Sequence, residues 1–155
     1  MGIWSLLLSV KGAQATLRKT VSVVRQVRST IENASAAELQ DLRRRAESGD
    51  RLAQYDLAET YYTGAGAPQD FAEAARWFEL SARSGYVKSQ VTLSMLYAAG
   101  RGVERDFTRA LFWIEQAAAT RDAAALRFRS KLLAKMSAEQ IAAARRLIDA
   151  WNTER

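Results

Sequence analysis

Along the chain, apolar residues return every three or four positions with polar residues between them, as they do on one face of an α-helix. Within 50–63 the recurring residues are Ala53, Leu57 and Tyr61; within 86–99 they are Ser89, Leu93 and Tyr97. Within 71–84 the apolar stripe is Ala74, Trp77, Phe78 and Ala82. Gly64 and Gly100 stand just past two of these stretches, where a left-handed C-cap suits a residue without a Cβ. Asp70 and Asp106 stand where an N-cap belongs, and Asp70 has Glu73 three residues later, the spacing of a capping box. The pattern predicts helices over 50–63, 71–84, 86–99, 107–120, 122–134 and 138–151. β-branched runs are rare outside Thr20–Val24, so the expected class is all-α.

Sliding the chain over itself by 36 positions superposes many of these features. Ser48-Gly49 falls on Ser84-Gly85, Leu57 on Leu93, Tyr61 on Tyr97, Gly64 on Gly100 and Gly66 on Gly102. Asp70 falls on Asp106, Phe71 on Phe107, Ala74 on Ala110, Trp77 on Trp113 and Ala82 on Ala118. A fixed period of this length is the mark of a solenoid, here a short α-solenoid of antiparallel helix pairs. The register predicts an amphipathic N-terminal helix over 1–33, a degenerate half-repeat over 34–49, repeats over 50–85 and 86–121, and a degenerate third first-helix with a C-terminal cap over 122–155. Ser35 with Glu38 has the spacing to open the half-repeat helix, and Ser137 with Gln140 the spacing to open the last one. Arg129 occupies a core position that holds leucine in the two full copies.

Tyr61-Tyr62-Thr63-Gly64-Ala65-Gly66 with Asp70, Ala74, Trp77 and Ala82-Arg83-Ser84-Gly85 resembles the Sel-one-like repeat family, relatives of the tetratricopeptide repeat. Tyr97-Ala98-Ala99-Gly100-Arg101-Gly102-Val103 with Asp106, Ala110, Trp113 and Ala117-Ala118 is similar to the same family. Ala67, Glu73 and Arg121 depart from its pattern. The resemblance covers roughly Ala36–Ala134. It implies an adaptor, regulator or assembly factor with no shared catalytic residues.

Composition narrows the chemistry. The 155 residues contain neither cysteine nor histidine. Disulfides, thiol catalysis and cysteine zinc sites are therefore excluded, and so are the commonest general base and transition-metal ligand. Gly64-Ala65-Gly66 and Gly100-Arg101-Gly102 lack the third glycine and the preceding strand of a phosphate loop. Asp56 and Glu59 share a helix face, which reads as solvated surface. No enzyme activity, cofactor, metal or small-molecule substrate is expected. A small inhibitory protein that neutralises one cognate enzyme, such as a bacterial immunity protein, is the alternative to an adaptor.

The net charge of +6 is uneven. Residues 1–31 hold five basic side chains and no acidic one; 49–121 hold eight basic and nine acidic. That is a near-neutral scaffold with a basic arm, and nucleic acid is not the expected partner. Arg43-Arg44-Arg45 points in three directions around a helix and reads as solvated surface.

With the core positions removed, the residues left for the inner face are Gln54, Tyr55, Glu59 and Tyr62, then Gln90, Val91, Met95 and Ala98, then Arg127 and Lys131. A partner protein is expected there, on a groove running from aromatic and acidic to basic. In the arm, positions 3, 6, 10, 13, 17, 20, 24, 27 and 31 are Ile, Leu, Val, Ala, Leu, Thr, Val, Val and Ile, a spacing of three and four. Lys11, Arg18 and Arg25 recur every seven residues beside it. Three uses fit this helix: a cap on the repeats, association with a partner or second copy, or binding to a membrane surface with Trp4 and Leu6–Leu8 inserted. The contact set for the last two is Trp4, Leu7, Lys11, Arg18 and Arg25. Ala13-Gln14-Ala15 resembles a signal-peptidase site without a preceding charge, and the acid-free start resembles a mitochondrial presequence. The expectation is cytoplasmic ahead of periplasmic or mitochondrial, with membrane association following only if the third use of the arm holds.

Overall fold

The computed structural model describes the backbone of residues 3–154 and the side chains of 18–29 and 35–154. The described residues form seven helices and no strand: α1 (Ile3–Glu47), α2 (Arg51–Thr63), α3 (Phe71–Arg83), α4 (Val87–Ala99), α5 (Phe107–Ala118), α6 (Ala123–Leu133) and α7 (Ala138–Thr153). The chain divides into two units, residues 1–38 and 39–155.

The first unit is one helical stretch, and every described side chain from Arg18 to Ser29 is exposed. The helix expected to begin after Ser35 does not begin there, because α1 continues unbroken to Glu47. Between Gly12 and Gly49 the chain has neither glycine nor proline. Around Ser35 lie Ala34, Ala36, Ala37, Glu38 and Leu39, mostly strong helix formers, so a capping side chain has no chain reversal to cap.

In the second unit α2 packs on α3, α4 on α3 and α5, and both α6 and α7 on α5. The four-residue spacing now has its explanation. Leu57 and Leu93 are fully buried with Phe78 and Ile114, each contributing about 2 kcal/mol of apolar burial. Ala53, Ala74, Ala110 and Ala117 are also fully buried and let neighbouring backbones approach closely. Trp77 and Trp113, 5% and 4% exposed, fill the space between layers. Their neighbours differ. The Arg76 guanidinium lies 4.9 Å from the Trp77 ring centroid, whereas Phe112, at the equivalent position, meets Trp113 edge-on at 4.9 Å.

The caps at Asp70, Asp106, Ser137, Gly64 and Gly100 stand where the sequence predicts, and Asp50 adds one that it did not. Asp50 accepts from the Leu52 and Ala53 amides, Asp70 from Ala72 and Glu73, and Asp106 from Arg109. Glu73 does not complete a box; it binds Arg76 at 2.9 Å. Ser137 and Gln140 do form the reciprocal pair. Tyr86 replaces Asp50 one period later and supplies no side-chain cap. The amides of Asp70 and Asp106 each donate 2.9 Å back to a tyrosine carbonyl, Tyr61 and Tyr97, and so fold the turn onto the end of the preceding helix. At Gly102 (φ 72°) an added Cβ would fall inside the Phe71 carbonyl group and 2.9 Å from the Ala72 amide. The second repeat's turn thus rests directly on the first turn of α3.

Three buried serines tie the layers. Ser81 donates to the Arg51 carbonyl at 2.7 Å, Ser89 donates to Ser81 at 2.7 Å, and Ser94 donates to the Ala110 carbonyl at 2.6 Å. All three are fully buried. Arg129, the residue in a leucine's place, is half-buried and bridges to Glu115 at 2.7 Å across α5 and α6.

Candidate partner-binding face

Helices α2, α4 and α6 are the first members of successive pairs, and α4 reaches past α5 to touch α6. The ten inner-face residues sort into three groups.

Gln54 and Gln90 do not face outward. They are 6% and 7% exposed, and each donates through Nε2, at 3.1 Å, to a carbonyl at the end of the preceding helix: Ala46 for Gln54 and Ala82 for Gln90. An amide already bonded inside the seam is unavailable to a partner. Reading polarity as exposure placed them wrongly.

Tyr55, Glu59 and Tyr62 come together, with part of each surface open. The Tyr55 ring stands 5.7 Å from Phe78 and 5.1 Å from Tyr86, and its hydroxyl donates to Glu59 at 3.1 Å. Burial, then the neighbouring Glu59 carboxylate, pushes the Tyr55 phenol up to about 12. The Tyr62 ring meets Phe71 at 5.4 Å and Phe78 at 6.3 Å. Its hydroxyl accepts from Arg101 at 2.9 Å, and that guanidinium lies 5.2 Å from the Phe71 ring centroid. Tyr62 therefore links the two repeats as well as facing out.

Met95, Arg127 and Lys131 are exposed, Met95 at 43%, while Val91 and Ala98 are half-buried beside it on α4. Val91, Met95 and Ala98 stand one period after Tyr55, Glu59 and Tyr62. The first repeat thus presents aromatic and acidic groups, the second aliphatic ones, and α6 basic ones.

Of the arm residues, Trp4, Leu7 and Lys11 lie outside the described side chains; Arg18 and Arg25 are exposed. The arginine run is solvated but engaged: Arg43 donates to the Tyr61 hydroxyl, Arg44 pairs with Asp41, and Arg45 pairs with Asp50 at 2.8 Å.

A recess the sequence did not reveal lies between α3, α4, α5 and α7. Its volume is about 410 Å³, with Arg83, Tyr97, Arg109, Trp113 and Trp151 in its walls. Trp151 closes it, 5.6 Å from Phe112 and 6.1 Å from Trp113. Its cations are already matched: Arg83 with Glu79 at 2.7 Å, Arg109 with Asp106 at 3.5 Å. The fourth tryptophan, standing on the last predicted helix, was the available signal.

The Sel1 repeat family matches residues 51–86 and 87–119. The fold is similar to that of a protective antigen of uropathogenic Escherichia coli strains displaying an SLR fold (TM-score 0.70, 29% identity over 73% of this chain and 24% of that one). It is also similar to a Sel1 repeat protein from Oxalobacter formigenes (TM-score 0.58, 37% identity over 59% of this chain and 26% of that one). The chain spans about a quarter of the length of each. No curated protein matches it in sequence. Such repeats generally mediate protein–protein interaction, and their fold is typically a non-catalytic scaffold. The two helix pairs between Arg51 and Ala119 are Sel1 repeats, set in an all-α helical-repeat fold.

Proposed function

We propose that the protein is an adaptor or assembly factor that holds one partner protein along α2, α4 and α6. The observation that carries this reading is Met95. It is a large, flexible apolar side chain, 43% exposed, midway between an aromatic-acidic cluster and the exposed cations Arg127 and Lys131. Interfaces favour an apolar centre with Met, Tyr and Arg and a polar rim. The partner that fits is a segment with an apolar anchor for Met95 and Val91 and acidic residues towards α6.

The test is affinity capture from the native source with the wild-type chain, with Met95→Asp and with Arg127→Glu/Lys131→Glu. Each variant should lose the captured protein while keeping wild-type helicity, because these side chains lie outside the core. Retention of the same partner by both variants would move the interface elsewhere.

A further inference from the structure

The first unit carries a surface that the repeats do not explain. Every described side chain of α1 from Arg18 to Ser29 is exposed, including Val21, Val23, Val24 and Val27 at 51%, 61%, 61% and 52%. On a helical wheel Val21, Val24 and Val27 share an arc of roughly a third of the circumference; Arg28, one heptad after Val21, stands at the same edge of that arc, with Arg18 and Arg25 just beyond it. The spacing of three and four that places Val24 and Val27 continues in the sequence from residue 3 to residue 31. Over that whole length no acidic residue occurs, against five basic ones.

We propose that this helix lies on an anionic lipid bilayer surface, with its apolar arc in the headgroup boundary and its cations on lipid phosphates. Charge decides between occupants. In a second copy the same segment would face an equally acid-free helix, and like charges would oppose pairing. An anionic leaflet supplies the missing sign, and Arg and Lys stems reach from the flank of an apolar arc to the phosphate level. At 1.5 Å per residue, residues 3–31 make a helix of about 43 Å that lies flat. No helix among the described residues is long and apolar enough to cross a membrane.

The experiment is co-sedimentation of the full chain with two kinds of vesicle, pure phosphatidylcholine and phosphatidylcholine containing phosphatidylglycerol, with light scattering of the free protein alongside. Binding should need the anionic lipid. It should fall steeply as salt shortens the screening length from about 10 Å at 0.1 M to about 3 Å at 1 M. Each basic side chain near such a surface contributes roughly fivefold, so Arg18→Gln/Arg25→Gln should weaken partitioning about 30-fold. Val24→Ser/Val27→Ser should also weaken it while leaving the melting of the repeats unchanged, which separates lost contact from lost fold. Met95→Asp should bind vesicles as wild type does, so this inference stands or falls apart from the docking face. Equal binding to both vesicles, or none, overturns the proposal. So does a dimer that Val24→Ser/Val27→Ser disperses in the absence of lipid, which would make a second copy the occupant.

Discussion

The Gln90 side-chain amide donates to the Ala82 carbonyl at 3.1 Å, repeating at the α3–α4 junction the bond that Gln54 makes to Ala46. Each of these carbonyls also accepts a glycine amide, Gly85 at 3.0 Å and Gly49 at 3.1 Å, so the glutamine is a second donor. Volume should therefore outweigh the hydrogen bond. Gln90→Ala should destabilise by about 2 kcal/mol, and Gln90→Leu should stay within about 1 kcal/mol of wild type, both read from urea unfolding.

Trp151 and Trp113 form one aromatic cluster with Phe112. Trp113→Ala should cost roughly 4 kcal/mol as a buried large-to-small change. Trp151→Ala, on a half-buried ring, should cost less. In a double-mutant cycle the pair should couple by about 1 kcal/mol, as aromatic edge contacts do. Additive effects would mean that α7 packs on α5 through its aliphatic residues instead.

Gly102 and Gly49 both have positive φ, 72° and 94°, but only Gly102 lies against other backbone. Gly49→Ala should cost about 1 kcal/mol, the strain of a left-handed alanine. Gly102→Ala should cost roughly 3 kcal/mol, because the turn must also lift from Phe71. Thermal melts of the two variants give the comparison directly.

Tyr55 should ionise only at strongly alkaline pH. Its folded pKa of about 12 lies above the usual value of 10.0, so the folded state holds the proton more tightly than the unfolded state. The resulting stability is complete below pH 10 and is lost as the pH rises from 10 towards 12. Tyrosinate absorbance should show a late-titrating component that Tyr55→Phe removes, and that variant should flatten the alkaline fall in stability.

Periodicity revealed most of the fold. The identity of Trp77 with Trp113 and of Asp70 with Asp106 located the helix pairs and their turns, because burial and capping each demand one residue type at one place. The same comparison held a further clue: Gln54 recurs as Gln90 and Glu79 as Glu115. Polar residues that recur at a structural period are doing structural work as readily as apolar ones, so both glutamines turned out to be seam residues and not groove residues. The run of α1 through Ser35 was hidden for another reason. A capping side chain shows where a helix can start, but only a breaker makes it stop, and none lies between Gly12 and Gly49. The Trp151 recess left only that tryptophan as a sign in the sequence, because its walls come from α3, α4, α5 and α7, separated by too many residues for any local pattern to connect them.

The buried hydroxyls of Ser81, Ser89 and Ser94 carry a consequence for alignment. Faces lined with alanine are smooth, and two such helices could slide past each other by a residue with little change in apolar contact. Slippage would strand each hydroxyl in an apolar layer at about 1–3 kcal/mol apiece. The serines therefore act as dowels that admit a single setting of α3 and α4 against their neighbours, and that setting fixes the spacing between Tyr62 on one repeat and Met95 on the next.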